Sequence, residues 1–193
     1  MMNSKGSCAV FLDLDGVINE VVFRDGRPAS PRTFEEFRLC EGVGQALAQL
    51  AEAGFRLFVV SNQPDVARGF LAPSILHAIS ERILSILPVE RVLTCIHDDA
   101  DSCACRKPKP GMLHEVASRE GIDLSRSFII GDSWKDVQAG AHAGCRTILL
   151  QRPYNQGVQA NYLVEDLAKA AQLVLGESKH GDSDSLVRHR LSR

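Results

Sequence analysis

Five short stretches are apolar at nearly every position: Cys8–Leu12, Leu57–Ser61, Val92–Cys95, Ser127–Ile130 and Thr147–Leu150. Each gives way to a polar or glycine-containing turn. A run that is apolar on both faces suits a strand covered above and below, as in a parallel sheet. Between the runs, Gly42–Ala53, Pro73–Ser85, Pro110–Glu120 and Trp134–His142 have helical spacing, as in Ala46-Leu-Ala-Gln-Leu50. Gly54, Gly121 and Gly144 stand just past three of these stretches, where a left-handed residue closes a helix. Strands alternating with helices predict an α/β fold built on a doubly wound parallel sheet. A last helix is expected over about Val164–Leu175. That makes residues 1–175 one domain and the Ser-, His- and charge-rich stretch 176–193 a flexible tail. Residues 19–39 are too long for a simple turn and read equally well as a lid over a site or as a surface excursion.

Composition narrows the function. A chain of 193 residues with 45% apolar and 24% charged residues suits one globular domain with its own core. A net charge of −2 offers no basic face for nucleic acid, so an anionic ligand must be met by a local cluster of cations. No apolar run approaches the ~18 residues of a membrane span, and Met1–Gly6 lacks the apolar core of a signal peptide. The expectation is a cytoplasmic monomer without membrane or nucleic-acid partners, acting on a small molecule. Of six cysteines, three lie in one short segment beside a histidine, which points to metal rather than disulfides.

Four features place chemistry at strand ends, where open α/β sheets bind ligands. Phe11-Leu-Asp-Leu-Asp-Gly-Val-Ile18 delivers Asp13 and Asp15 two apart, so both project to the same side. Carboxylates that close repel unless a cation or shared proton intervenes, so one can serve as nucleophile and the other carry a proton. Ser61 and Asn62 end the second run with uncharged donors suited to a phosphate oxygen. Arg106, Lys107 and Lys109 bring three positive charges within four residues, the fixed cation that a transferring phosphoryl group requires. Asp132 and Asp136 follow the fourth run one helical turn apart. With Asp13 they form an all-oxygen set that favours a hard cation such as Mg²⁺.

In this order the four parts resemble the signature of the haloacid dehalogenase-like phosphatases. Ser61-Asn-Gln-Pro-Asp-Val-Ala-Arg-Gly69, Cys105-Arg-Lys-Pro-Lys-Pro-Gly-Met112 and Gly131-Asp-Ser-Trp-Lys-Asp-Val-Gln-Ala-Gly140 look like the heptose-bisphosphate phosphatase branch, with histidinol-phosphate phosphatases as near relatives. The resemblance implies strand order 3-2-1-4-5, no large cap domain, and a Mg²⁺-dependent phosphoric monoester hydrolase. In that scheme Asp13 is the nucleophile, Asp15 the acid and base, and Lys107 the catalytic cation. Mg²⁺ is held by the Asp13 carboxylate, the Asp15 carbonyl and Asp132, with Asp136 behind. Ser61 and Asn62 would bind the phosphoryl group, and Arg106 a second anionic group of the substrate. Pro64-Asp65 departs from the Ser-Gly usual in that branch, which leaves substrate identity open. A histidinol-phosphate phosphatase, another phosphosugar phosphatase and a non-catalytic zinc-stabilised module are the competing readings.

Cys95-x-His97 and Cys103-x-Cys105 supply a Cys₃His set of the kind that closes around structural zinc. The related phosphatases carry a zinc loop with the same two ends, and the loop here is shorter. The resemblance therefore implies a structural Zn²⁺ leading into Arg106 and Lys107. Of two places for Trp134, beside the site or in the core, the core is the expected one, with Cys8 and Cys145 there too.

Overall fold

The computed structural model describes residues 6–188, and side chains as far as Ser178. In chain order the elements are β1 (Ala9–Leu12), β2 (Val22–Arg24), β3 (Arg27–Ala29), α1 (Val43–Glu52), β4 (Arg56–Asn62), α2 (Pro73–Ile86), β5 (Arg91–Cys95), α3 (Gly111–Glu120), β6 (Phe128–Gly131), α4 (Trp134–Ala143), β7 (Arg146–Leu150), β8 (Tyr162–Val164) and α5 (Leu167–Arg188). All four side chains of β1 are buried. Because successive strand residues project to opposite faces, Val10 and Leu12 enter one core while Ala9 and Phe11 enter the other. The first core takes in Leu47 and Leu50 of α1, Ile79 and Ile83 of α2, and Ala170 and Val174 of α5. The second takes in Met112, Leu113 and Val116 of α3. Double coverage is why the strands read as continuous apolar runs.

The six-stranded sheet is parallel throughout, in the order β5-β4-β1-β6-β7-β8. The five expected strands keep their expected order, and β8 adds a sixth at the edge. The chain winds outward from β1 through β4 to β5, then returns to the other side of β1 to start β6. The switch point therefore lies between β1 and β6, where Leu12 sits opposite Ile130. Two elements escape the hydrophobic pattern. β8 has only three residues, none of them buried. Residues 19–39 contain the antiparallel hairpin β2–β3, with Phe23 opposite Pro28. Its turn is Asp25-Gly26, both with positive φ (50° and 72°), the dipeptide that favours a tight hairpin. Helix α5 runs past the Leu175 end read from sequence. The last part of the expected flexible tail, 189–193, lies outside the described residues. No helix among the described residues is long and apolar enough to cross a membrane.

Helix α4 lies so close to the sheet that a Cβ on Gly140 would sit 2.2 Å from Ile129 Cγ2 and 2.9 Å from Thr147 Cγ2. Both neighbours are branched strand residues with little room to turn aside. Gly140→Ala should cost about 1–3 kcal/mol through overpacking, read as a lower urea midpoint at unchanged slope.

Candidate active site

The switch point brings together two acidic loops. Asp13 extends the β1 ladder by one bond, its N–H donating to Ile130 O at 3.0 Å. Asp132 follows the end of β6. Glycine makes their approach possible twice. Gly16, at φ 83°, would place a Cβ 2.0 Å from Asp132 Oδ2, and Gly131 would place one 2.2 Å from Asp136 Cβ. Ligating oxygens of Asp13, Asp132 and Asp136 all lie within 4.8 Å of one another.

Lys107 enters this cluster from the loop before α3 and is 2% exposed. Its ammonium lies 2.8 Å from Asp13 Oδ1 and donates to Asp136 Oδ1 at 2.5 Å and to Val60 O at 2.7 Å. Asn62 holds the same residue by its backbone. Its Nδ2 donates to Lys107 O at 2.9 Å, and its Oδ1 accepts from Lys107 N–H at 3.0 Å. The sequence suggests Asn62 as a phosphate donor; in the structure its amide is engaged at both ends in placing Lys107. Asp136 also closes the N-terminus of α4, with Oδ2 accepting from Ser133 N–H at 3.0 Å.

The electrostatics show a shortage of positive charge. Burial and the Asp136 charge raise the Asp13 carboxyl well above its ordinary pKa, against the pull of Lys107. Burial and Asp136 push Asp132 up to about 6. Burial alone would lower the Lys107 ammonium, but Asp13 and Asp136 outweigh it and raise it. One ammonium does not balance Asp13, Asp132 and Asp136, and their all-oxygen donor set is the chemistry of a hard divalent cation. The Mg²⁺ expected from sequence fits these residues.

Asp15 stands beside the cluster. Its Oδ1 accepts from Asn19 Nδ2 at 3.0 Å; its Oδ2 accepts from Ser30 Oγ at 2.6 Å and Gln63 Nε2 at 3.0 Å. Gln63 donates as well to Ser61 Oγ at 3.0 Å. Burial raises Asp15, and these three donors oppose the shift. Asp13, Asp15, Ser30, Ser61, Asn62, Lys107, Asp132 and Asp136 line a cavity of about 510 Å³.

Comparison with known proteins agrees with this geometry. Residues 19–144 match the family model described as haloacid dehalogenase-like hydrolase. The D-glycero-beta-D-manno-heptose-1,7-bisphosphate 7-phosphatase of Bordetella bronchiseptica is 35% identical, over 88% of this chain and 98% of that protein. The Pseudomonas putida protein of the same name is 33% identical, over 84% and 97%. A crystal structure of the B. bronchiseptica phosphatase complexed with magnesium and phosphate superposes with a TM-score of 0.77, at 33% identity over 88% of this chain and 99% of that one. The chain belongs to the haloacid dehalogenase-like hydrolases. Within that family it is a phosphatase, a phosphoric monoester hydrolase.

Several residues of this haloacid dehalogenase-like site carry no sequence signal of their own. Asn155 donates to Asp132 O at 2.7 Å and Leu150 O at 2.8 Å, and the Tyr154 hydroxyl donates to Asp132 Oδ2. Both sit in a short turn after β7 that no motif marks. Trp134, expected in the core, is instead 46% exposed and lines the cavity, because it opens α4 directly above the acidic loop. Lys109 turns away from the site and donates to Ser102 O and Cys103 O. Arg106 lines the cavity with its Nε on Asp99 Oδ1 at 2.7 Å. The other cavity arginines are paired in the same way: Arg24 with Glu36, Arg32 with Asp65 at 2.8 Å, and Arg68 with Asp98 at 2.6 Å.

Replacing Asn62 by Ala removes the clamp on Lys107 without touching its charge. If Lys107 acts as the catalytic cation expected from sequence, a small displacement of it costs roughly a hundredfold in rate. Asn62→Ala should therefore lower kcat by about that factor while KM for the phosphate ester stays close to wild type, as steady-state kinetics would show.

Proposed function

We propose that the chain is a Mg²⁺-dependent phosphatase for a sugar bisphosphate, D-glycero-D-manno-heptose 1,7-bisphosphate, working through an aspartyl phosphate on Asp13. The observation that carries this is the state of the Asp13 carboxylate. Its Oδ1 is committed to Lys107 and to Leu14 N–H, which donates at 2.7 Å. Its Oδ2 has no hydrogen-bond partner among the described residues, which leaves the carboxylate an open edge at the cavity. The Asp13 carboxylate attacks phosphorus as the bond to the leaving oxygen breaks, and Asp15 gives its proton to that oxygen. Asp15 then takes a proton from water as the water attacks phosphorus, which releases phosphate and frees Asp13. Lys107 and Ser61 stabilise the equatorial oxygens, where positioning and charge supply most of the catalysis. Mg²⁺, when bound, neutralises charge on the phosphoryl group; Asp13, the Asp15 carbonyl and Asp132 would hold it, with Asp136 tied to Lys107 behind. Arg106 at the cavity wall would meet the second phosphate. In this reading the protein is a cytoplasmic monomer that serves carbohydrate metabolism.

Zn²⁺ would hold the loop before Lys107. Cys95 Sγ lies 3.6 Å from Cys103 Sγ, and Cys105 Sγ lies 3.2 Å and 3.4 Å from those two. His97 Nδ1 completes the set, 3.6 Å from Cys95 Sγ and 3.3 Å from Cys105 Sγ. A tetrahedral ion with Zn–S bonds of about 2.3 Å would space its sulfurs ~3.8 Å apart. All three thiols are free, and their convergence without a disulfide fits that ion. A closed four-donor set has no place for a reacting water, so its part is structural.

Phosphate release should be measured on sugar bisphosphates, sugar monophosphates and histidinol phosphate, with Mg²⁺ and with chelator. The expected result is Mg²⁺-dependent release, fastest on the heptose bisphosphate and abolished by Asp13→Asn. A faster reaction on histidinol phosphate would reassign the substrate and keep the chemistry. For the loop, elemental analysis should find about one zinc per chain, lost in Cys103→Ser. Protein stripped of zinc should turn over more slowly with Mg²⁺ in excess; unchanged turnover would separate the loop from catalysis.

A further inference from the structure

The excursion over residues 19–39 supplies a group to the site that the mechanism above leaves without a role. Strand β3 ends at Ala29, and the next residue, Ser30, donates its hydroxyl to Asp15 Oδ2 at 2.6 Å. The chain is held on both sides of this contact. Arg24 Nη1 donates to Ser30 O at 2.7 Å. Arg32 reaches Asp65 at 2.8 Å and lies over the Phe70 ring, 4.3 Å from its centroid. At the root of the excursion Asn19 bonds both Asp15 and the backbone of Arg38.

The three donors on Asp15 are unequal. Asn19 and Gln63 are buried, at 0% and 1% exposure, and do not line the cavity; Ser30 does. A carboxylate oxygen accepts about two hydrogen bonds. Gln63 and Ser30 together fill Oδ2, while Oδ1 takes Asn19 alone and keeps one position open for the substrate. Without Ser30, Oδ2 has a vacant position too, and the carboxylate can turn to present either oxygen.

We propose that Ser30 is a positioning residue for Asp15, so that the hairpin excursion is part of the catalytic apparatus and not a surface ornament. Its hydroxyl fixes the rotation of the carboxylate and commits Oδ1 to the leaving oxygen. This rests on the assignment of Asp15 as the acid and base.

The test uses leaving groups. An alkoxide must be protonated as it departs, whereas 4-nitrophenolate leaves without help. The value of kcat/KM reports only the steps up to that departure. It should be measured for wild type, Ser30→Ala, Ser30→Thr and Asp15→Asn, on 4-nitrophenyl phosphate and on the alkyl phosphate turned over fastest in the panel above. As its proton passes to the leaving oxygen Asp15 becomes a carboxylate, and loss of a hydrogen bond to that charge predicts that Ser30→Ala loses roughly tenfold to a hundredfold on the alkyl phosphate. It should stay close to wild type on the aryl one, with thermal midpoint unchanged and the alkyl rate restored by Ser30→Thr. Asp15→Asn should show the same selectivity more strongly. Equal losses on both substrates, or none on either, in Ser30→Ala beside a selective Asp15→Asn would overturn the role of Ser30 alone. An unselective Asp15→Asn would overturn the acid–base assignment, and the proposal with it.

Discussion

The Lys107 ammonium lies between Asp13 and Asp136, out of contact with bulk water. Burying a charge is expensive unless it is paired and fully hydrogen-bonded, and removing one partner of a buried pair is more costly still. That penalty constrains four segments at once. β1 must deliver Asp13, β4 must end with Val60 and Asn62 in register, α4 must start where Asp136 can reach, and the loop before α3 must bring the lysine in. A displacement of any of them leaves a buried charge unpaired. The same constraint makes the site rigid before substrate arrives, which is what electrostatic stabilisation of a transferring group demands.

The parts of this arrangement that can be read from sequence are those encoded locally. An apolar run ending in Asp13-Leu-Asp15-Gly16 carries its strand, its turn and its carboxylates in one stretch. The Gly131-Asp132 pair and Asp136 one helical turn later do the same for β6 and α4. The supporting contacts depend instead on approach in three dimensions. Gln63 reaches Asp15, Asn155 reaches Asp132, and Asn62 turns to the Lys107 backbone rather than outward. No residue pattern records those distances. Trp134 shows a different limit: aromatic character argues for burial on average, but the first residue of a helix that opens onto a cavity has no core to enter. The hairpin is absent from the sequence reading of residues 19–39: Asp25-Gly26 carries a turn signal, but the surrounding charges and prolines mask its two short strands.

Two small elements, the hairpin and the cysteine–histidine loop, stand beside the site. The cysteine–histidine loop runs directly into Arg106 and Lys107, and the hairpin touches Asp15 through Ser30. Each small element at the rim is joined to one of the groups proposed for catalysis.

The paired arginines at the rim set how a substrate is met. Arg24, Arg32, Arg68 and Arg106 each have a carboxylate partner, so the rim projects little net field into solvent. These paired arginines therefore add little to steering over distances beyond the Debye length, about 8 Å at physiological salt. Discrimination among phosphorylated metabolites then falls to contacts made after arrival, inside the cavity that these guanidinium groups border.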